Sequence, residues 1–142
     1  MFSTTHLHPM LVHFPIALVA VGFLVEFVFL SVKKDICLTK MGFYLLALGT
    51  IGACASWFTG NFFTSEMTGA AGEVKEIHEL LATVTVTLLI ATLVLRTTIL
   101  YLKKENSNLK VAAFILYGLA ALAVSATGFY GGNLVYGYMM PL

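Results

Sequence analysis

The sequence predicts an all-α membrane protein: an antiparallel four-helix transmembrane bundle forming a single domain over residues 1–142. Composition is the first reason. Of the 142 residues, 59% are apolar, 13% aromatic and only 11% charged, where a soluble domain carries about 25% charged residues. Eight basic and seven acidic side chains could not cover the surface that a soluble chain of this size leaves in water. Segmentation is the second reason: four apolar stretches reach the roughly 20 residues a membrane helix needs. The third is the one-sided placement of basic residues. Together these exclude a soluble enzyme, a collagen-like chain and a disordered one. The net charge of +1 gives no general attraction to nucleic acid.

The spans fall at about 10–32, 41–63, 78–102 and 109–130. In helix 1, His8 precedes Pro9 and should cap the helix, because a residue before proline avoids the helical region and proline fits the first helical position. Pro15 frees a backbone carbonyl and should kink the helix. Helix 2 carries the small residues Gly42, Gly49, Ala53, Ser56 and Gly60 at helical spacing. A loop with a Gly69-Ala70-Ala71-Gly72 core follows. Helix 3 can begin early, near Glu73, with Glu73 and Glu76 in a first turn where the dipole favours acids. Helix 4 carries a second small-residue stripe, Gly118, Ala121, Ser125, Gly128 and Gly132.

Lys33, Lys34 and Lys40 flank the first connection, and Arg96, Lys103, Lys104 and Lys110 the third; only Lys75 lies on the other side. Seven of eight basic residues therefore share one side, which should be cytoplasmic. The expected location is a bacterial plasma membrane, multi-pass, with both termini on the outer side. No basic region precedes the first span and no small-residue cleavage site follows it, so it is not read as a removable signal peptide. Trp57, Phe58, Phe62, Phe63, Tyr130, Tyr136 and Tyr138 form an aromatic belt at the outer boundary. Cys37 and Cys54 differ by roughly 20 Å in depth, too far for a disulfide.

The two hairpins resemble each other. Ser56-Trp57-Phe58-Thr59-Gly60-Asn61-Phe62 ends helix 2 and Gly128-Phe129-Tyr130-Gly131-Gly132-Asn133-Leu134 ends helix 4. Each follows a helix with a histidine near its outer end, His13 and His78. Two repeated hairpins related along the membrane normal are one reading; chance similarity of two apolar helix ends is the other.

His13 and His78 are the first functional candidates, because ionisable residues inside a membrane are costly. They lie at one level on diagonal helices, whose axes should be roughly 13 Å apart. That gap suits a metal-centred ring with an imidazole on each side, and Gly60 and Gly132 leave room for its edges. Haem b held by two histidines is the economical filling. The plain alternatives are interfacial histidines bonded to loop carbonyls, and stripes that only let helices touch. His8, His13 and His78 with Glu76 or Glu79 could instead hold zinc, copper or iron, though their spacing matches no compact motif. Met10, Met139 and Met140 would suit copper but are usually filler. His6 reads as a solvated tail residue. Glu26 is the one acid well inside a span, and Arg96 its one basic counterpart. Measured from the level of His13 and His78 they lie about 20 and 27 Å down. A stretched ion pair between them is one reading; the favoured one has Glu26 neutral and hydrogen-bonded between helices and Arg96 reaching the interface; a proton path from Glu26 is the sharper idea.

His8-Pro9-Met10-Leu11-Val12-His13-Phe14-Pro15-Ile16-Ala17-Leu18 resembles the opening signature of a bacterial membrane-protein family, domain of unknown function 2231. Gly128-Phe129-Tyr130-Gly131-Gly132-Asn133-Leu134-Val135-Tyr136 resembles its closing signature. An acid in helix 1, here Glu26, and a histidine opening helix 3, here His78, also resemble the family. The chain departs from it at Asn133, where an acid is usual, and at Ser56 before Trp57, where an Asp is common. The resemblance implies an architecture similar to the four-helix core of membrane cytochromes b, and a redox setting. One level pair of histidines does not suit two haems.

The leading functional expectation is a haem-binding electron-transfer subunit, passing electrons between quinone and an outer redox protein with no enzyme activity of its own. The alternatives are a cofactor-free structural or assembly subunit of a larger membrane complex, and a small-metal binder. The lipid bilayer is the expected surrounding; a homo-oligomer is compatible, a nucleic-acid partner is not.

Overall fold

The computed structural model describes residues 7–31, 36–103 and 107–138. Its elements are α1 (Leu7–Leu11), α2 (His13–Ser31), α3 (Ile36–Phe63), α4 (Ala70–Tyr101) and α5 (Ser107–Tyr136). No strand occurs among the described residues. Four helices are long and apolar enough to cross a membrane: His8–Ser31, Lys40–Phe63, Ala70–Tyr101 and Asn108–Tyr136. Hairpin α2–α3 packs against hairpin α4–α5 through α3 on α4 and α2 on α5, leaving α2 and α4 on the diagonal.

The first span is broken at Val12, between α1 and α2. Pro15 has no N–H to give the Leu11 carbonyl, and its ring crowds that turn. The chain bridges the break with Val12 N–H on the His8 carbonyl (3.1 Å) and Ile16 N–H on the Val12 carbonyl (3.4 Å). His8 lies within α1 instead of capping it. Pro9 is tolerated there because a first-turn N–H needs no helical partner. The third span begins at Ala70, eight residues before the expected His78. Gly69 adopts φ 65°, a left-handed conformation that glycine takes without strain, and its carbonyl accepts the Glu73 N–H (3.2 Å).

Side chains sort as they do in lipid. The large exposed residues are apolar, among them Phe14, Leu24, Ile51, Leu80, Leu122 and Phe129, and they face the bilayer. The buried seams mix apolar, small and polar residues: Pro15, Val19, Gly22 and Glu26 on α2, and Lys75, Thr85, Leu89 and Thr92 on α4. The core is Val19, Leu46, Ala53, Leu89, Tyr117, Ala120 and Val124. Buried hydroxyls close on their own helix: Thr50 Oγ1 donates to the Leu46 carbonyl and Thr92 Oγ1 to that of Leu88, both at 2.7 Å. The deep glycines let helices touch. A methyl on Gly49 would stand 2.8 Å from Val19 Cγ2, and one on Gly118 would stand 3.2 Å from the Phe23 ring.

Cys54 is a free thiol. His6, Lys33, Lys34, Lys104, Met139 and Met140, and the side chain of Cys37, lie outside the described residues. Lys40, Lys103 and Lys110 fall at the bundle end opposite His8 and His78.

Candidate functional site

A cavity of about 310 Å³ opens at the end of the bundle where α1 begins and α5 ends. His8, Ser56, Gly60, Lys75, His78 and Gly131 are among its lining residues. Two imidazoles meet in it across the bundle diagonal, and they are those of His8 and His78. Their ring centroids are 6.1 Å apart and their planes cross at 85°. The diagonal separates helix axes, but each imidazole reaches inward, so the rings are much closer than the axes.

Each ring is fixed by the other helix of its own hairpin. His8 Nδ1–H donates to the Ser56 carbonyl on α3 (2.9 Å), with the Thr59 hydroxyl 3.3 Å away. His78 Nδ1–H donates to the Thr127 carbonyl on α5 (3.0 Å). A glycine seats each ring. A methyl on Gly60 would lie 2.8 Å from His8 Cε1, and one on Gly131 3.0 Å from His78 Cε1. The hairpins therefore do repeat a local design of histidine, carbonyl and glycine. With Nδ1 carrying the hydrogen, Nε2 of each ring is a lone-pair donor, and neither Nε2 has a hydrogen-bond partner among the described residues.

His13 does not join this pair. It begins α2 after the Val12 break, is exposed, and donates Nδ1–H to the Pro9 carbonyl at 2.8 Å. It reaches only the cavity wall beside Pro9 and Val12. The expected His13–His78 level is thus replaced by a His8–His78 level, because the first turn of the span is a separate helix that turns His8 inward. Gly132 lines the cavity. No atom stands within 4 Å of where its methyl would be, and the glycine against the ring is its neighbour Gly131. Gly60 stands against the His8 imidazole.

Of the remaining candidates, Trp57 and Asn61 also line the cavity. Trp57 donates Nε1–H to the Thr83 hydroxyl (3.0 Å), tying α3 to α4. Asn61 donates to the Trp57 carbonyl (2.8 Å) on its own helix. Asn133 is exposed, and its main-chain carbonyl accepts the Gly137 (2.8 Å) and Tyr138 (3.2 Å) N–H groups that end α5. No group of three or more His, Cys, Asp and Glu side chains able to hold a metal ion occurs among the described residues. The small-metal set of His8, His13 and His78 is therefore not assembled.

Deeper in the bundle, Glu26 and Arg96 form a direct ion pair between the diagonal helices, both side chains nearly buried. The pair, the less favoured reading from sequence, forms without stretching once the level is set by His8 instead of His13. Glu26 is eighteen residues beyond His8, and Arg96 is eighteen beyond His78, about 27 Å of helix in both cases. The Tyr117 hydroxyl is buried without a partner, and a methyl on Gly22 would overlap it.

Lys75, the one basic residue on this side of the bundle among the described residues, is buried in the cavity wall on α4. Its ammonium pairs with Glu66 (3.3 Å) and Glu79 (3.2 Å). Ser56 also lines the cavity, and its hydroxyl is buried without a partner.

The family model of DUF2231, described as predicted membrane protein, matches residues 4–141. The chain belongs to this family. No curated protein and no solved structure matches it. The four apolar helices and the lipid-facing side chains agree with that description.

Proposed function

We propose that this chain is a haem-binding electron-transfer protein of the membrane, and that His8 and His78 would hold the haem. The observation that carries the reading is the donor set: two opposed imidazoles, each tethered at Nδ1 to a backbone carbonyl and each free at Nε2. A hydrogen bond at the far ring nitrogen is the usual way a protein fixes the tautomer and angle of a metal-ligating histidine. Two imidazoles without a third protein ligand suit a metal whose other positions a macrocycle fills, and suit zinc poorly. The apolar walls supplied by Pro9, Val12, Ile16, Val86 and Val124 suit a flat apolar group. Haem supplies one-electron chemistry when bound.

The chain's own residues would do three things. His8 and His78 bind iron, the Ser56 and Thr127 carbonyls hold the rings at their angle, and the surrounding helices exclude water. In this reading electrons pass between a membrane quinone and a redox protein at the histidine end, and the chain makes or breaks no bond of a substrate.

The test is haem titration of the purified protein in detergent, followed by a reduced-minus-oxidised spectrum. The expected result is one low-spin haem with two imidazole ligands per chain. A chain that folds and takes up no haem refutes the reading and leaves the structural-subunit alternative.

A further inference from the structure

We propose that Lys75 is the recognition residue for a carboxylate on the edge of the cavity's ligand, so that the bound haem is oriented with its propionates toward the connection between α3 and α4. This rests on the haem reading and names a contact which that reading does not need. Lys75 lies three residues before His78, so it shares that face of α4, one turn nearer the connection. Its side chain is only 10% exposed, and it lines the same cavity as the two imidazoles. A buried ammonium is costly unless paired. Its partners are unequal. Glu79 is on the same helix, four residues on and half-exposed. Glu66 comes from the 64–69 connection, and its side chain is 92% exposed.

An exposed ion pair is worth little. Glu66 can therefore return to water at small cost when a carboxylate reaches Lys75 from inside the cavity. The incoming carboxylate would be held where water is scarcer, and a charge-assisted hydrogen bond gains strength there. The cavity thus has an apolar body, two imidazole nitrogens without hydrogen-bond partners and one buried cation. That is the complement of an apolar metallo-macrocycle carrying carboxylates.

The experiment compares haem with haem dimethyl ester. Each is titrated into wild type, Lys75→Gln, Lys75→Arg and Glu66→Gln in one detergent, and the low-spin bis-imidazole absorbance is read. The ester partitions more strongly into detergent, so the quantity compared is the change in acid-to-ester affinity ratio between variants. Lys75→Gln should lower that ratio on the order of tenfold from wild type. Lys75→Arg should keep it, and Glu66→Gln should keep or raise it because a competing carboxylate is gone. An unchanged ratio in Lys75→Gln overturns the proposal, as does a fall in Glu66→Gln, which remains informative if Lys75→Gln does not fold. If neither haem nor its ester gives the low-spin spectrum in wild type, the haem reading itself has failed and this inference falls with it.

Discussion

Replacing Arg96 with Met tests how the buried charges hold the bundle. Arg96 and Glu26 side chains are 12% and 10% exposed and pair across the diagonal, joining two helices that otherwise pack mainly through α3 and α5. Removing one partner leaves the other charge buried and uncompensated, a loss of about 3–5 kcal/mol. The double variant Glu26→Leu/Arg96→Met removes both charges together and keeps most of the volume. Its stability should lie within about 1–2 kcal/mol of wild type, because replacing a whole buried pair by apolar groups is often close to neutral. The two single losses would then not add, and the coupling between them should exceed about 2 kcal/mol. The assay is equilibrium unfolding in mixed micelles for wild type, both single variants and the double. A double variant as unstable as the sum of the singles refutes the reasoning. It would mean that each side chain contributes through packing of its own and not through the pair.

Leu at Gly60 or Gly131 should push out the imidazole seated there and abolish haem uptake; haem per folded chain decides, and uptake that is unchanged in either variant sinks the seat assignment. Gly49→Leu meets Val19 in the core and should cost about 1–3 kcal/mol through overpacking, read as a lowered unfolding midpoint. Tyr117→Phe removes a buried hydroxyl without a partner, so stability should hold or rise by up to about 1 kcal/mol; a fall larger than that would reveal a partner for the hydroxyl. A reporter fused after Leu142 should read as external, because the basic residues crowd the opposite end; a cytoplasmic signal would reverse the bundle and place the histidine cavity on the inner side.

The class and the four spans were legible because apolar length and sparse charge leave no other way to satisfy the backbone. His78 was legible as the histidine of its span. Its partner was not, because the choice between His8 and His13 turns on the break at Val12, which redirects one turn of helix. A signal was nevertheless present: His8 to Glu26 and His78 to Arg96 have equal spacing, and that equality places both pairs at matching depths. The hairpin repeat was visible, but alignment on the shared Gly-Asn put Gly132 opposite Gly60, one residue beyond the Gly131 that packing selects. The early start of helix 3 near Glu73 was legible, but the burial of Lys75 was not, because a lysine beside four glutamates reads as a solvated charge. Once α4 begins at Ala70, Lys75 is helical and faces the cavity.

The central claim is that His8 and His78, and not His13, are the ligand pair. The most direct measurement is the reduced-minus-oxidised spectrum of His8→Ala and His13→Ala, each purified and titrated with haem beside wild type. The account predicts that His8→Ala loses the low-spin bis-imidazole spectrum while His13→Ala keeps it. A low-spin spectrum that survives in His8→Ala and vanishes in His13→Ala would contradict it.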